Sequence, residues 1–326
     1  MSAVAEAADL SAAPAAGQGG GFGALAARAI IGAFVAVLCL GPFLLVLAIS
    51  FGEKIDGEDW RWSLSLASYQ RFLFGFEWPE AVSFVYPQKL WFSLYFAVLA
   101  SILAVAFAFP FTWLITRQSR RAQAAWLVFI LASLSLSEVF VVMGWDILLS
   151  GRSGLPMVAR EIGLTDWLRE AGWWPTLQAW DLANPRNLKF KTSAVATVVT
   201  MSYLVFPYAV ILLYPPLSRI DPSLAEAART MGARSFTVIR TVVLPAVRLP
   251  ILGATFLLFV YLLGAYVVVT QFADPSQQTL TVTIYNSVRG ATLDAPFAAA
   301  QSVALLLVSA LLLLASARVA KLERGA

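Results

Sequence analysis

The sequence predicts an all-α integral membrane protein with six transmembrane helices, and three observations lead to that prediction. Hydrophobic residues make up 60% of the 326 residues and charged residues only 13%. Six uncharged or nearly uncharged runs are long enough, at 1.5 Å per residue, to cross about 30 Å of hydrocarbon as helices. A polar, amphipathic segment at 217–248 separates the fourth run from the fifth. We therefore expect six spans, with a substantial polar loop between spans four and five.

The chain begins with a segment that is rich in Ala, Gly and Pro and poor in large apolar side chains, which cannot offset the entropy of ordering. We expect residues 1–27 to be a disordered tail and residues 28–326 to form the membrane domain. The first apolar run is too long for the core of a signal peptide, so it is interpreted as a retained span. The predicted spans are about 29–51, 90–115, 123–149, 193–216, 249–272 and 297–317.

The orientation of the spans is predicted from Lys and Arg. These residues divide almost evenly between the two sides, but the short turn between spans two and three, "RQSRRAQ", contains Arg117, Arg120 and Arg121. Because basic residues in short loops favour the cytoplasmic side, this turn should be cytoplasmic. Both termini and the 217–248 loop are then cytoplasmic as well. The net charge of +4 is attributed to basic residues that flank the membrane spans and not to a nucleic-acid-binding surface.

Several function classes are excluded by the composition. The chain has one cysteine, Cys39, which lies inside an apolar run, and it has no histidine. Disulfide frameworks, zinc sites and histidine acid–base chemistry are therefore not expected. We predict no catalytic residue, no metal site and no cofactor bound by this chain. A membrane-embedded enzyme is disfavoured because the sequence also has no Ser or Cys nucleophile motif.

The polar loop contains the stretch "SLAEAARTMGARSFTVIRTVVLP", which predicts two short helices. Asp221 or Ser223 would cap the first helix, Glu226 stands in a capping-box relation to Ser223, and Gly232 would end the helix with a positive φ. A second helix from about Ser235 would end before Pro245. From the residues alone, an ordinary interfacial helix remains the alternative.

The spacing within this loop resembles a known signature. Glu226-Ala227-Ala228, three residues, Gly232, nine residues and then Val242-x-Leu244-Pro245 are similar to the EAA motif of permease subunits of bacterial ABC importers, with valine where isoleucine is commonest. The resemblance implies a coupling helix that seats in a groove of a cytoplasmic ATPase. It assigns this role to Glu226, Ala227, Ala228, Gly232, Leu244 and Pro245.

The resemblance also implies the partners of the chain. It predicts two ATPase subunits, a second permease subunit that is a different chain, an external substrate-binding protein and a location in the bacterial inner membrane. No Walker A pattern occurs in the sequence, so ATP and Mg²⁺ would be bound by the ATPase. The stretches "SLSEVFVVMGWDILLSGRSGLP" and "MSYLVFPYAVILLYPPLSRIDPSLAEAA" look like the polyamine-transporter-like branch, which also handles thiamine, opines, phosphonates and iron. A proline usual before Ser137 and a basic residue common near Val141 are absent, which leaves the substrate open among these classes and sugars.

A substrate path is predicted from polar and aromatic residues inside the spans. An ionised carboxylate in an apolar run is costly unless it faces protein or water, so Glu138 is a candidate for the path, with an inter-helix hydrogen bond as the alternative. Asp146, nearer the outer end, is interpreted as structural. Aromatic faces beside a carboxylate suit an amine-bearing cation, although each aromatic residue could equally serve packing. The predicted path residues are Ser137, Glu138, Trp145, Tyr203, Phe206 and Tyr266. Ser137 is included because it would share a helix face with Ser133 and approximately with Glu138.

The sequence is compatible with two transport mechanisms. The reading that the motif favours is the permease subunit of an ATP-driven importer that carries a small polar solute delivered by a binding protein. The rival is a stand-alone secondary transporter that couples to ions through intramembrane carboxylates such as Glu138. The lack of an evident inverted repeat and the presence of a dedicated polar helix pair argue against this rival.

Overall fold

The computed structural model describes residues 21–55, 60–151, 153–185, 187–290 and 293–325. These residues are mostly helical, and their only β-type pairs are two isolated bridges. In chain order the helices are α1 (Gly21–Ile49), α2 (Ala67–Phe74), α3 (Val85–Thr116), α4 (Arg120–Leu134), α5 (Glu138–Leu149), α6 (Leu155–Glu161), α7 (Leu164–Glu170), α8 (Trp174–Ala179), α9 (Ala194–Ser218), α10 (Pro222–Thr230), α11 (Ser235–Val238), a π-turn (Ile239–Val243), α12 (Leu244–Ala246), α13 (Arg248–Leu263), α14 (Val267–Phe272), a 3₁₀ turn (Pro275–Gln277), α15 (Leu280–Arg289) and α16 (Ala295–Gly325).

Four continuous helices of the described residues are long and apolar enough to cross a membrane, and they lie in α1, α3, α9 and α16. Two further candidates are bent pairs: α4 with α5, bent by 92°, and the segment Ser235–Ala246 with α13, bent by 73°. The count is six if each pair is one span. The all-helical membrane fold predicted from composition is therefore confirmed.

The start of the chain differs in part from the predicted disordered tail. Residues 1–20 lie outside the described residues, whereas α1 begins at Gly21, so that 21–27 are helical. The sequence "GFGALAA" leads directly into the apolar run, and alanine has the highest helix propensity, so the helix extends backward beyond the hydrocarbon-length segment.

The core is formed chiefly by α3, α9 and α13. On α3, small residues recur every three or four positions and are buried, namely Ala97, Ala100, Ala104 and Ala108. Such a stripe allows close backbone approach by α9. The hydroxyl of Ser202 on α9 donates to the Ala100 carbonyl at 3.1 Å. The two helices thus form a tightly packed centre, on which α5, α13 and α14 pack.

The predicted span 123–149 is not one straight helix. It breaks between Leu134 and Glu138, where Ser135 and Leu136 form tight turns by donating their N–H groups to carbonyls three residues back. Ser137 is extended, with φ −62° and ψ 139°. Because the chain changes direction at this point, Ser133 and Ser137 do not share a helix face as predicted.

The predicted span 249–272 is also interrupted. α13 ends at Leu263 and α14 begins at Val267. The carbonyl of Leu263, freed by the helix end, accepts a hydrogen bond from the Thr281 hydroxyl at 2.7 Å. An outside partner therefore satisfies the interrupted backbone, as an apolar surrounding requires.

The two ends of the bundle carry different structures. At one end lie the α3–α4 turn, the end of α9 and the short helices α10 to α12. At the other end α2 packs on α16 and α3, and α1 packs along α16. Between α5 and α9, helices α6 to α8 form a small unit around Ala159, Ala183 and Leu188.

Candidate functional site: the Glu138 cavities and the 217–248 segment

The break in the third span places Glu138 at the first position of α5, facing two adjoining cavities. The larger has a volume of about 270 Å³ and is walled by α4, α9 and α13. The smaller, of about 170 Å³, lies between α9 and the end of α13. Glu138, Leu204 and Tyr261 line both. A half-buried carboxylate is thus presented to two open cavities between the helices.

Aromatic rings surround the larger cavity. Tyr203, Phe206, Tyr208 and Tyr261 line it together with Glu138. The rings of Tyr208 and Tyr261 lie 5.6 Å apart between centroids, which brings α9 and α13 together at this level. A carboxylate combined with several electron-rich ring faces can bind an organic cation by charge and by cation–π attraction.

The predicted path residues are only partly brought together. Glu138, Tyr203 and Phe206 line the larger cavity. Trp145 lies behind Tyr203, with ring centroids 5.4 Å apart in an edge-on arrangement. Ser137 is the exposed N-cap of α5 and does not line either cavity.

Tyr266 lies away from the Glu138 cavities as well, since its ring stacks on Tyr285 of α15 at 4.2 Å. Sequence reasoning chose Tyr266 and missed Tyr261, which lies in the same apolar run. The two tyrosines could not be told apart by sequence, because the α13 break at Gly264 decides which of them faces Glu138.

Asp146 has the structural role that the sequence suggested. Its carboxylate pairs with Lys191 Nζ at 2.6 Å and accepts a hydrogen bond from Gln271 Nε2 at 2.6 Å. These contacts join α5 to α14 and to the residues that precede α9. The carboxylate is therefore satisfied by protein partners away from the Glu138 cavities.

The 217–248 segment contains the second candidate site. Asp221 is the N-cap of α10, and its carboxylate accepts the Ser223 N–H at 2.9 Å. Hydrogen bonds from the Ser223 N–H and hydroxyl hold the pKa of the Asp221 carboxyl below its usual range. Ser223 is thus inside the helix, so the predicted capping box between Ser223 and Glu226 does not form.

The end of α10 has the geometry predicted for Gly232. Its φ is +86°, and Ala233 N–H donates to the Ala228 carbonyl at 3.0 Å while Gly232 N–H donates to the Arg229 carbonyl at 2.9 Å. This is a Schellman motif, which requires a left-handed residue at the position of Gly232.

A small apolar core joins α10 to α11. Ala225, Ala228 and Val238 are buried in it, with Ala233 and Val242 against them. Because small side chains allow close packing, the two helices form one compact unit with Gly232 at its corner.

The second helix of the segment continues further than predicted, through Pro245 to Ala246. The reason is the π-turn, in which the Leu244 N–H bonds to the Ile239 carbonyl five residues back. This wider turn accommodates Pro245, which has no N–H to donate, without ending the helix. The 73° bend into α13 follows at Val247.

The six predicted coupling residues fall into three groups. Glu226 and Ala227 are exposed on α10, whereas Ala228 belongs to the small core and Gly232 forms the corner. Leu244 and Pro245 are exposed at the joint with α13. Sequence reasoning overlooked three large apolar side chains exposed on this unit, although they stand out among its small and charged neighbours: Leu224 (53%), Met231 (82%) and Phe236 (74%).

Within the ranges that the structure describes, no group of three or more His, Cys, Asp or Glu side chains is arranged to hold a metal ion. The chemistry available at the two candidate sites is therefore that of one carboxylate, aromatic rings, and an exposed apolar and charged helix pair.

Comparison with known families decides the class of protein. The model of the family described as "Binding-protein-dependent transport system inner membrane component" matches residues 89–324. The chain belongs to this family. Membership makes it a membrane-embedded, non-enzymatic permease subunit of an importer that works with a substrate-binding protein. It also separates the chain from stand-alone secondary transporters.

Individual relatives agree with the family assignment. The chain is 22% identical over 297 residues to the spermidine/putrescine transport system permease protein PotB of Haemophilus influenzae, covering 90% of this chain and 93% of that protein. It is 24% identical over 284 residues to PotB of Escherichia coli, covering 86% and 92%. PotC of Escherichia coli is 32% identical over a shorter stretch of 116 residues, 35% of this chain and 43% of that protein.

A solved structure supports the fold of the permease. A bacterial ABC transporter involved in the import of the acidic polysaccharide alginate has a chain that superposes with a TM-score of 0.65 at 15% identity, covering 91% of this chain and 94% of that chain. A second structure of the alginate transporter, in complex with a pentasaccharide-bound periplasmic protein, superposes with a TM-score of 0.60.

Proposed function

We propose that this permease forms the translocation path for a small amine-bearing solute, and that Glu138 is the residue that accepts the cation. The observation that carries the proposal is the position of the Glu138 carboxylate on two adjoining cavities whose walls include Tyr203, Tyr208 and Tyr261. The printed names of the PotB relatives, which refer to spermidine and putrescine, support a polyamine-like substrate.

The cavity chemistry favours a cation over an anion. Among the residues that the structure describes, no Lys or Arg lines either cavity, and Glu138 is the only formally charged residue on their walls. The half-buried Glu138 carboxylate attracts an ammonium group more strongly than an exposed carboxylate would, and it repels an acidic sugar. The alginate transporter shares the fold, but its acidic substrate does not suit this cavity.

The movement that opens the path is proposed to be driven from the 217–248 segment. The exposed side chains of Leu224, Met231 and Phe236 give the helix pair an apolar surface of the kind that docks in a groove, and Glu226 adds an exposed charge to the same unit. We assign this surface to a cytoplasmic ATPase. Because α10 packs on α11, and the segment from α11 to α12 continues into α13 through one bend, closure of the ATPase would turn α13 directly.

The remaining partners follow from the same proposal. Two ATPase subunits would bind ATP and Mg²⁺, and no cofactor would be held by this chain. A second, different permease chain would complete the path from the other side. The 217–248 segment and both termini would lie in the cytoplasm of a bacterial cell, with α2 and helices α6 to α8 on the outer face, where the binding protein delivers the solute.

The proposal is tested by reconstitution. The permease is co-expressed with the second permease and the ATPase encoded beside it, purified, and placed in liposomes with the cognate binding protein. ATP-dependent uptake of labelled putrescine or spermidine, competed by other diamines and not by neutral disaccharides, is the expected result. Uptake confined to an acidic or neutral solute would contradict the assignment of Glu138 as a cation site while leaving the permease function intact.

A further inference from the structure

A third cavity lies away from Glu138, where the α3–α4 turn meets the end of α9 and the start of α10. Its volume is about 280 Å³, slightly below the usual range for small-molecule sites and large enough for a phosphate-sized group. The residues on its wall that matter below are Thr116, Arg117, Arg120, Gln123, Ser218 and Pro222.

The cavity carries uncompensated positive charge. Arg117 and Arg120 both line it, and among the described residues no carboxylate lies within ion-pair distance of either guanidinium. Burial and the nearby positive charge of Arg229 lower the pKa of Arg117, and the negative charge of Glu226 partly offsets this by raising it. Two guanidinium groups thus line the cavity, and an anion between them would relieve their repulsion.

The wall of the cavity is held rigidly by side-chain hydrogen bonds. Gln123 Nε2 donates to the carbonyls of Thr116 (3.2 Å) and Gln118 (2.8 Å), and Gln123 Oε1 accepts from the Tyr214 hydroxyl at 2.9 Å. Arg117 stacks on the Trp113 ring at 3.9 Å. Stacking fixes the guanidinium plane and leaves its N–H edge available, the geometry that suits bidentate contact with a phosphate.

The start of α4 adds to the positive potential. Ser119 caps this 15-residue helix, and Arg120 is its first residue. The partial positive charge of a helix N-terminus favours an anion, and Arg120, which begins α4, lines the cavity.

The position of the cavity relative to the bilayer indicates the ligand. Thr116 and Ser218 end two of the candidate spans, so the cavity is at the level of lipid headgroups. Leu114, one turn before Arg117, is 62% exposed and offers an apolar surface beside the cavity. Basic pockets at the ends of transmembrane helices commonly bind anionic headgroups.

We propose that this cavity is a binding site for a phosphate group, carried by an anionic phospholipid or by a soluble phosphate. Arg117 and Arg120 bind the phosphate oxygens, and the α4 N-terminus faces the same group. Because Pro222 is the first residue of α10 and also lines the cavity, the bound phosphate contacts the ends of α3, α4 and α9 together with the start of the 217–248 segment. The site is independent of the transported solute.

The test uses the purified full-length chain in a neutral detergent containing phosphatidylcholine. Phosphatidylglycerol or inorganic phosphate is titrated in, and the apparent melting temperature is followed. We expect a saturable rise whose half-effect concentration increases more than about tenfold in the Arg117→Gln/Arg120→Gln variant, because two charge-assisted hydrogen bonds disappear. The matched control is Arg121→Gln/Arg318→Gln, which removes the same charge from exposed positions and should titrate as the wild type does.

The two titrants identify the source of the phosphate. A rise with phosphatidylglycerol alone identifies a lipid, and a rise with both identifies a site that a soluble phosphate can occupy. Ser218→Glu, which keeps both arginines and places a negative charge on the cavity wall, should weaken binding if the double variant does not fold. Equal loss in the cavity and control variants, or no rise with either titrant, would overturn the proposal.

Discussion

Arg71 Nη1 donates a hydrogen bond to Asp294 Oδ2 at 3.0 Å and thereby ties α2 to the turn that begins α16. The Asp294 side chain is only 4% exposed, and the Arg71 guanidinium lies over the rings of Phe76 (4.0 Å) and Phe297 (5.0 Å). Asp294 also accepts the Phe297 N–H at 3.1 Å as the cap of α16. One carboxylate therefore serves an ion pair and a helix cap at the same time.

Asp294→Asn separates these two roles. Asparagine retains the helix cap and removes the charge, so the guanidinium of Arg71 is left half-buried without its partner. We expect a loss of about 2 kcal/mol in stability, less than for a fully buried pair because Arg71 is 30% exposed. The measurement is the apparent melting temperature in detergent.

The control for this variant is Asp181→Asn. Asp181 pairs with Lys189 at 2.8 Å, but its side chain is 54% exposed. An exposed pair contributes at most about 1 kcal/mol, so the melting temperature should hardly move. Equal losses in the two variants would show that the Arg71–Asp294 pair is no more than a surface contact.

The 217–248 segment was predictable because its signals are local. Asp221, Pro222 and Gly232 are a cap, a first-turn residue and a left-handed stop, and each acts within a few residues of itself. The prediction of a capping box was wrong because Asp221 and Ser223 are both suitable N-cap residues for α10, and the sequence does not show which of them takes that position. The passage of the helix through Pro245 depends on a π-turn, for which the sequence has no comparable signal.

The bends of the spans were not predictable from hydropathy. The run from 123 to 149 contains no proline, and its only glycine, Gly144, lies within α5. Its composition alone therefore predicts a single helix. The 92° bend at Ser135–Ser137 arises in the folded protein, where α4 and α5 each pack on α9. The same bend decides that Glu138 meets Tyr261 and that Ser137 does not line the cavities. Glu138, Tyr203 and Phe206 were readable from the sequence, whereas the choice of Tyr261 over Tyr266 required the fold.

Glu138→Gln tests the cation site. The substitution keeps the shape of the side chain and removes its charge, so assembly should be unchanged while uptake of an amine-bearing solute falls. A hydrogen bond to a charged group contributes about 1.5–3 kcal/mol, which corresponds to a reduction of about tenfold or more in apparent affinity. Initial uptake rates in the reconstituted importer give this value.

Glu161→Gln is the matched control for Glu138. Glu161 ends α6, is exposed and lies outside the candidate spans. Its variant should transport as the wild type does. If Glu138→Gln also transports normally, Glu138 has a structural role, such as the inter-helix hydrogen bond considered from the sequence.

The cap of α10 should depend on pH through Asp221. Because hydrogen bonds from Ser223 lower its pKa in the folded state, the cap contributes stability that is fully present above the unfolded value of about 3.9 and is lost as the pH falls through the folded pKa. Hydrogen exchange of the α10 amides, corrected for the intrinsic rate, should therefore accelerate as the pH falls below about 4. Asp221→Asn keeps a neutral cap, and its corrected exchange should not change over this range. A parallel acceleration in this variant would assign the pH effect to another group.

Gly232→Val tests whether the corner of the helix pair transmits force. A β-carbon at Gly232 would meet no atom within 4 Å, so the substitution acts only through the backbone, whose φ of +86° is strained for any other residue and most of all for a β-branched one. The strain, about 1–2 kcal/mol, should distort the angle between α10 and α11 without touching the Glu138 cavities. The matched control is Gly163→Val, at φ +76° with equally open space in the unit of α6 to α8. We expect Gly232→Val to lose ATPase association, measured by pull-down, and binding-protein-stimulated ATP hydrolysis, whereas Gly163→Val retains both. Tight association and full stimulated hydrolysis in Gly232→Val would mean that the α10–α11 unit is an ordinary interfacial helix pair and that coupling to the ATPase occurs elsewhere.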